Sequence, residues 1–372
     1  MTNIESDKAL GVINRLFDIA VERGASDVHL VVGKPPILRV SGQIEAIENS
    51  KELTGDVMEQ LLFSMITEDE RERFVRTKEL DIAHQTPSGM RFRINLHWEK
   101  RRASMAARII PQDIPTMDQL DLPPIAQGMT EYPHGLVIVT GPTGSGKSTT
   151  LAAMIEKINR SKADNIITLE DPIEFLFTSS RGIVRQRQLG QDFLSFAEGL
   201  KHILRQDPDV VMVGEMRDPE TIATTLTIAE TGHLVFATLH TYSAAQTIDR
   251  IIDAMPTTQQ NQVRSQLALT LRAVVSQQLL PKVGGGRIAG REILVNNPAV
   301  ANLIREGQIA QINNVIQTSA NEGMITLSQD LTRLVALGLV EKSEANQFLR
   351  ISEQIGDDDE VGQVAKRRGW LK

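Results

Sequence analysis

The sequence predicts an α/β protein in two parts, an α+β N-terminal domain followed by a parallel-sheet domain that ends in helices. Length is the first reason, because 372 residues exceed what one hydrophobic core ordinarily organises. The second is a change of pattern near the middle of the chain. Before it, short segments alternate apolar and polar residues; after it, continuous apolar strands alternate with helical stretches, as in a parallel sheet covered on both faces. The third is a glycine-rich turn set between an apolar strand and a helix, LVIVTGPTGSGKSTTLAAM at residues 136–154.

In the first part, Leu10, Ile13, Leu16, Phe17, Ala20 and Val21 recur at helical spacing and stop at Gly24. DVHLVV, PILRV and QIEAI read as short strands, with a Ser41-Gly42 turn between the last two. In RFRINLHW the residues Phe92, Ile94, Leu96 and Trp98 alternate with polar ones, a period of two that marks a half-buried strand. If EKRR at 99–102 is a four-residue hairpin loop, ASMAARII runs back so that Phe92 faces Ile109, Ile94 faces Ala107, Leu96 faces Met105 and Trp98 faces Ala103. The same register sets Arg93 opposite Arg108 on the other face, where like charges repel. A solvated basic face and a pair of arginines sharing an anion both fit these residues.

The proline-bearing stretch IIPQDIPTMDQLDLPPIAQG marks a boundary, and the division it predicts is a domain over 1–112, a link over 113–131 and a second domain over 132–372. Beyond it, strands are predicted at 136–140, 166–170, 210–214 and 234–240, with helices near 147–160, 194–206, 219–231 and 243–254. Asp218 and Pro219 supply an N-cap and a first helical residue. From Asn296 onward the chain reads as helical, with Leu303, Ile304, Ile309, Ile312 and Ile316 forming a stripe. It closes on a charged segment, GDDDEVGQVAKRRGWLK, read as a mobile tail.

Composition narrows the function. The net charge of -7 argues against a nucleic-acid binder, which needs a basic surface. The longest apolar runs are far shorter than the roughly 20 residues that span a bilayer, so no direct membrane insertion is expected. The first residues are acidic where a secretory signal is basic, so export is not expected either. A chain without cysteine builds no disulfide and no Cys-ligated zinc site, which suits the cytoplasm.

GPTGSGKS fits G-x-x-x-x-G-K-[ST] in the context that motif requires, after a buried strand and opening a helix. Gly141, Gly144 and Gly146 let successive backbone N–H groups, with those of Pro142's successors Thr143 and Ser145, turn towards a β-phosphate. Lys147 should reach the β- and γ-phosphates and Ser148 should ligate magnesium, and Thr149 is counted with the cofactor-binding loop. Such a site also needs a carboxylate at a neighbouring strand end. Two candidates present themselves, Glu170 with Asp171 in IITLEDPIEF and Glu215 in DPDVVMVGEMRD, the latter departing from the usual pattern through Gly214. His233 and His240 stand at opposite ends of one strand, and a lone histidine reads as readily as structural.

The series GPTGSGKSTTLAAM, ITLEDPIEF, DPDVVMVGEMRDPETI and AETGHLVFATLHTYSAAQTIDRI resembles the Walker A, Asp box, Walker B and His box of the type II/IV secretion ATPase superfamily, most of all the type IV pilus retraction ATPases of the PilT/PilU type. That resemblance runs from GASDVHL to GMITLSQDLTRLVALGLV. It implies a PAS-like N-terminal domain and a RecA-like P-loop ATPase domain with a helical C-terminal region, assembled as a homo-hexamer that binds ATP and Mg2+. It implies further that Glu170 is the general base, that Glu215 holds the Walker B place at magnesium, that His233 and His240 fill the His box, and that Arg93 and Arg108 face bound phosphates. The partners it implies are an inner-membrane pilus platform protein and a paralogous retraction ATPase, at the cytoplasmic face of that membrane. One departure stands out: PAVANLIREGQ keeps Asn302 to Glu306 of an AIRNLIRE-like motif but has Ala301 where that motif has arginine. An accessory paralogue, a nucleotide-gated ring module of low turnover, and a pilus-assembly or type II secretion ATPase are the alternative readings.

Overall fold

A computed structural model describes residues 3–40, 42–110, 113–349 and 353–355. Ser41 of the expected turn and the charged segment from residue 356 lie outside the described residues. The chain divides into two compact units, Met1–Asp113 and Ile114–Lys372.

In the first unit the helix Asn3–Glu22 ends at a left-handed Gly24 (φ 65°), as its spacing predicts. Six strands follow: β1 (Ala25–Leu30), β2 (Ile37–Val40), β3 (Gln43–Ala46), β4 (Glu79–Gln85), β5 (Arg91–Glu99) and β6 (Arg102–Ile110). They form one sheet in the order β3-β2-β1-β6-β5-β4, with every neighbouring pair antiparallel. The predicted β5–β6 register is the one observed, from Phe92 against Ile109 to Trp98 against Ala103, with Arg93 against Arg108. The loop is shorter than the four residues expected. Glu99 pairs with Arg102, and Lys100 and Arg101 turn the chain alone at φ 48° and 64°. Two successive left-handed residues are what a tight hairpin with the sheet's own twist requires, and here charged residues adopt them in place of the usual Asn-Gly.

The apolar face of this sheet packs against the first helix and the helices Gly55–Phe63 and Glu68–Thr77, which the sequence pattern did not reveal. Thr67 opens the second of these with a capping box to Glu70. Phe17 and Phe92 stack with ring centroids 4.0 Å apart at the centre of the core. The opposite face leaves Arg93 and Arg108 exposed.

The second unit is built on seven strands, β7 (Gly135–Thr140), β8 (Asn165–Glu170), β9 (Ile183–Gln188), β10 (Val210–Val213), β11 (Leu234–Leu239), β12 (Leu271–Pro281) and β13 (Arg287–Val295), in the order β13-β12-β7-β11-β10-β8-β9. All neighbours are parallel except β12 and β13. Successive side chains of the central strands feed two cores. Leu136 and Ile138 face the helices Pro219–Glu230 and Ala244–Asp253, and Val137 and Val139 face the helix Lys147–Ser161. Burial on both faces explains why these strands read as unbroken apolar runs. Asp218 caps its helix as expected, with Oδ1 accepting from the Thr221 amide at 2.9 Å. In the C-terminal helices Ile304, Ile309, Ile312 and Ile316 are buried, Leu303 packs beside them, and Ala301 contributes its methyl group to the same core.

Candidate active site

Parallel strands deliver their carboxyl ends to one edge of a sheet, the place where open α/β sheets bind ligands. Here that edge carries the glycine turn after β7, His240 after β11, Glu215 after β10 and Glu170 at the end of β8.

The turn needs its glycines. Gly141, Gly144 and Gly146 have φ of 147°, 80° and 86°. A Cβ on Gly141 would stand 2.2 Å from the Gln277 carbonyl oxygen and 2.6 Å from Ser145 Oγ, so no side chain fits there. Gly146 is the N-cap of the helix Lys147–Ser161 and has no side chain with which to satisfy the helix's first N–H groups. Those donors, with the positive end of the helix dipole, are left for an anion. Lys147 is 8% exposed, and its Nζ donates to the carbonyls of Gly141 at 2.8 Å and Pro142 at 3.0 Å. Burial draws its ammonium below the usual lysine range, against the pull of Glu215 and Glu174. Ser148 is exposed and Thr149 half-buried at the start of the helix, while Ser145 is buried within the turn.

A continuous row of polar groups leads away from this lysine. Lys147 Nζ stands 3.4 Å from His240 Nδ1, and His240 Nε2 lies 3.3 Å from Glu215 Oε1. Arg217 Nε donates to Glu215 Oε2 at 2.7 Å, and its Nη1 lies 3.7 Å from Asp171 Oδ2. The unusual Gly214 before Glu215 has a steric reason. Its N–H donates to Leu169 O at 2.7 Å, and a Cβ there would be 2.9 Å from that same oxygen. Only glycine lets β10 leave the sheet so close to β8.

Glu170 is 7% exposed. Its Oε1 accepts from Thr168 Oγ1 at 2.6 Å and from Gln186 Nε2 at 3.0 Å. Burial raises this carboxyl above the usual range; the hydrogen bonds from Thr168 and Gln186 work the other way, and the charge of Glu174 adds to the rise. A carboxylate held in one orientation with raised basicity is suited to accepting a proton. Gln186 lies on β9, whose polar sequence IVRQRQ gave no strand signal, and Thr168 is hidden in an apolar run.

The other expected residues are positioned by other elements. His233 stands at the amino end of β11, where its Nδ1 is 3.0 Å from Ile228 O and 3.2 Å from Thr231 Oγ1. The six residues of β11, roughly 20 Å at strand rise, separate it from the site edge of its own chain. There it ties the strand to the end of the preceding helix, and the two histidines stand at opposite ends of β11 as their spacing in the sequence predicts. Arg93 and Arg108 belong to the first unit, cross-strand neighbours as the register requires. Arg108 Nε donates to Asp27 Oδ1 at 2.9 Å, and Asp27 pairs with Arg108 across β1 and β6. That carboxylate offsets part of the repulsion, and the sequence concealed it because the two residues lie 81 positions apart.

A phosphate cradle, a buried lysine and a buried carboxylate on one sheet edge define a P-loop ATPase. A family profile described as "Type II/IV secretion system protein" matches residues 4–286. The type IV pilus retraction ATPase PilT of Pseudomonas aeruginosa is 45% identical over 341 residues, covering 92% of this chain and 99% of that protein. The type IV pilus ATPase PilU of the same organism is 36% identical over 359 residues, covering 94% of each. Among solved structures, the pilus retraction motor PilT with bound ADP superposes with a TM-score of 0.85 at 41% identity, covering 94% of this chain and 99% of that one. The chain belongs to the type II/IV secretion ATPase family, on its pilus-retraction branch. Among the described residues no helix is long and apolar enough to cross a membrane.

Proposed function

We propose that this chain is the subunit of a hexameric motor that hydrolyses ATP to drive type IV pilus retraction. The 45% identity to a pilus retraction ATPase over nearly the whole chain carries the reading of retraction, and the buried, hydrogen-bonded Glu170 on the same sheet edge as the phosphate loop supports hydrolysis. The two units are then a PAS-like domain over 1–112 and a RecA-like ATPase domain over 132–372, joined by the link at 113–131. The backbone N–H groups of the loop, from Gly141 and residues 143–149, and the Lys147 ammonium bind the β- and γ-phosphates, with Pro142 shaping the turn. Glu170 orients a water and takes its proton as it attacks the γ-phosphorus, the bond from that phosphorus to the β–γ bridging oxygen breaks, and ADP and phosphate leave, while His240, placed between Lys147 and Glu215, holds both in register. Magnesium suits the donor set, because one hydroxyl (Ser148) and one carboxylate (Glu215, in part through water) leave the remaining octahedral positions to phosphate oxygens and water. When bound, the ion neutralises phosphate charge.

Arg93 and Arg108 are assigned to the phosphates of a neighbouring copy, which would tie turnover to subunit motion. Arg93→Ala and Arg108→Ala are expected to keep ADP binding within about 3-fold and to lower turnover about 100-fold, the scale of losing one charge-stabilising donor. Mixing Arg93→Ala subunits with Lys147→Ala subunits should restore part of the rate, because mixed rings contain interfaces with an intact arginine and an intact loop. A mixture that stays as inactive as its parts, under conditions where labelled subunits are seen to exchange, removes the arginine from the neighbour's site.

The platform protein of the pilus, a paralogous retraction ATPase and a place at the cytoplasmic face of the inner membrane complete the proposal. The higher identity to PilT than to PilU supports a main motor over an accessory one. Ala301 is a departure that leaves the ATPase edge untouched. A pilus-assembly or type II secretion ATPase is disfavoured, since a chain without cysteine cannot form the four-cysteine zinc module usual in those relatives.

A further inference from the structure

Gln277, on β12, is 1% exposed and bound on both sides. Its Nε2 donates to the Ser145 carbonyl oxygen at 2.7 Å, and its Oε1 accepts from Thr150 Oγ1 at 3.0 Å. Ser145 lies within the phosphate loop and Thr150 in the first turn of the helix that follows. The reverse orientation of the amide would set one carbonyl oxygen against another, so these partners fix it. The backbone takes part as well. A Cβ at Gly141 would meet Gln277 O at 2.2 Å, and one at Gly146 would meet Gln277 Nε2 at 3.3 Å. One residue therefore touches the loop at its first glycine, at its middle and at its last glycine.

The strand that carries this clamp is braced from its other side. Directly across the β12–β13 ladder from Gln277 stands Arg291, itself 2% exposed. Its Nη1 donates to Asp121 O at 2.8 Å, its Nη2 to Leu120 O at 2.6 Å, and its backbone N–H to Asp330 Oδ2 at 2.8 Å.

We propose that Gln277 is a positioning residue for the phosphate loop, holding the Ser145 carbonyl and the Thr150 hydroxyl so that the loop's N–H groups keep the arrangement that receives the β-phosphate of a nucleotide. The inference rests on reading the loop as a nucleotide site. Its physical basis is that a loop with three glycines is conformationally free unless something restrains it. Restraint supplied in advance removes an ordering cost that binding would otherwise bear.

The test titrates a fluorescent ADP analogue against the full-length protein, Gln277→Met, Gln277→Glu and Thr150→Val, with KM and kcat for ATP alongside thermal midpoints. Gln277→Met removes both hydrogen bonds and is expected to raise the Kd for ADP about 10-fold, with KM following, as for one net buried hydrogen bond. Gln277→Glu keeps the acceptor for Thr150 but brings a carboxylate to the loop, so its loss should exceed that of the methionine variant. Thr150→Val severs one bond alone and should lose about 3-fold. A merely structural role predicts instead that affinities follow thermal midpoints irrespective of charge, and that ranking overturns the inference. So does parental affinity in folded Gln277→Met. Should that variant fail to fold by circular dichroism, an unchanged Kd in Thr150→Val overturns it. If the parent itself binds no ADP, the nucleotide-site reading falls and takes the inference with it.

Discussion

Lys147→Ala is expected to lower ATP hydrolysis at least about 100-fold, measured as phosphate release from purified protein. Lys147 is buried, and its geometry explains the size of the effect. Two loop carbonyls hold it at 2.8 and 3.0 Å, and burial makes its desolvated charge available to phosphate rather than to water. Alanine leaves the loop's N–H groups in place, so some ADP affinity should remain while the charge proposed to meet the γ-phosphate is gone. The fold should survive, because the bonds lost are to carbonyls beside the site edge and a typical intramolecular hydrogen bond is worth only about 1 kcal/mol. Near-parental turnover in a folded variant would remove the loop from the catalytic site.

Glu170→Gln is expected to lower turnover about 100- to 10,000-fold, the range assigned to a positioned general base, while ADP binding stays at the parental level. The amide keeps the size of the carboxylate and can still accept from Thr168 and Gln186, but it takes no proton. The direction of the Glu170 shift gives two further readouts. Because burial raises the folded carboxyl, its contribution to stability is fully present below the unfolded pKa and is lost as pH rises through the folded one. At neutral pH the ionised side chain is therefore a cost, and glutamine should hold or raise the thermal midpoint. In the parent, hydrolysis should fail on the acid side at a pH above the ordinary glutamate value of about 4.3, since Glu170 must be ionised to act. A variant that hydrolyses ATP normally assigns the base elsewhere on the edge.

How much of this was legible in the sequence depended on whether a signal was local. The β5–β6 register could be read because both strands carry their own period-two pattern, and one face had to be wholly apolar. The hairpin's length could not, since Lys100 and Arg101 give no hint that they adopt left-handed conformations. In the second unit β7, β8, β10 and β11 announced themselves by burial on both faces. β9 did not, because a half-exposed edge strand of arginines and glutamines lacks that run. β12 and β13 were missed although Gly284, Gly285 and Gly286 sit between them, all at positive φ, because the apolar stretch before them continues from a helix without interruption.

The site divides along the same line. The glycine turn, Glu170, Glu215 and His240 sit at strand ends, where a parallel sheet collects them whatever the helices do. The groups that orient them come from distant parts of the chain, Gln186 on an unannounced strand and Gln277 well over a hundred residues beyond the loop, just as in the first unit Asp27 reaches Arg108 across a long-range ladder. Their types, amides and a carboxylate in ordinary surroundings, carry no motif. His233 shows the converse, a residue singled out by pattern that within its own chain serves the end of a helix.

The proposed dependence of ATP hydrolysis on ring assembly is tested by steady-state hydrolysis measured over a wide range of protein concentration, with Glu170→Gln run in parallel. A site completed by a neighbouring copy gives specific activity that rises with concentration as rings form and vanishes in the variant. Activity independent of concentration, or a rate equal in parent and variant, would contradict it.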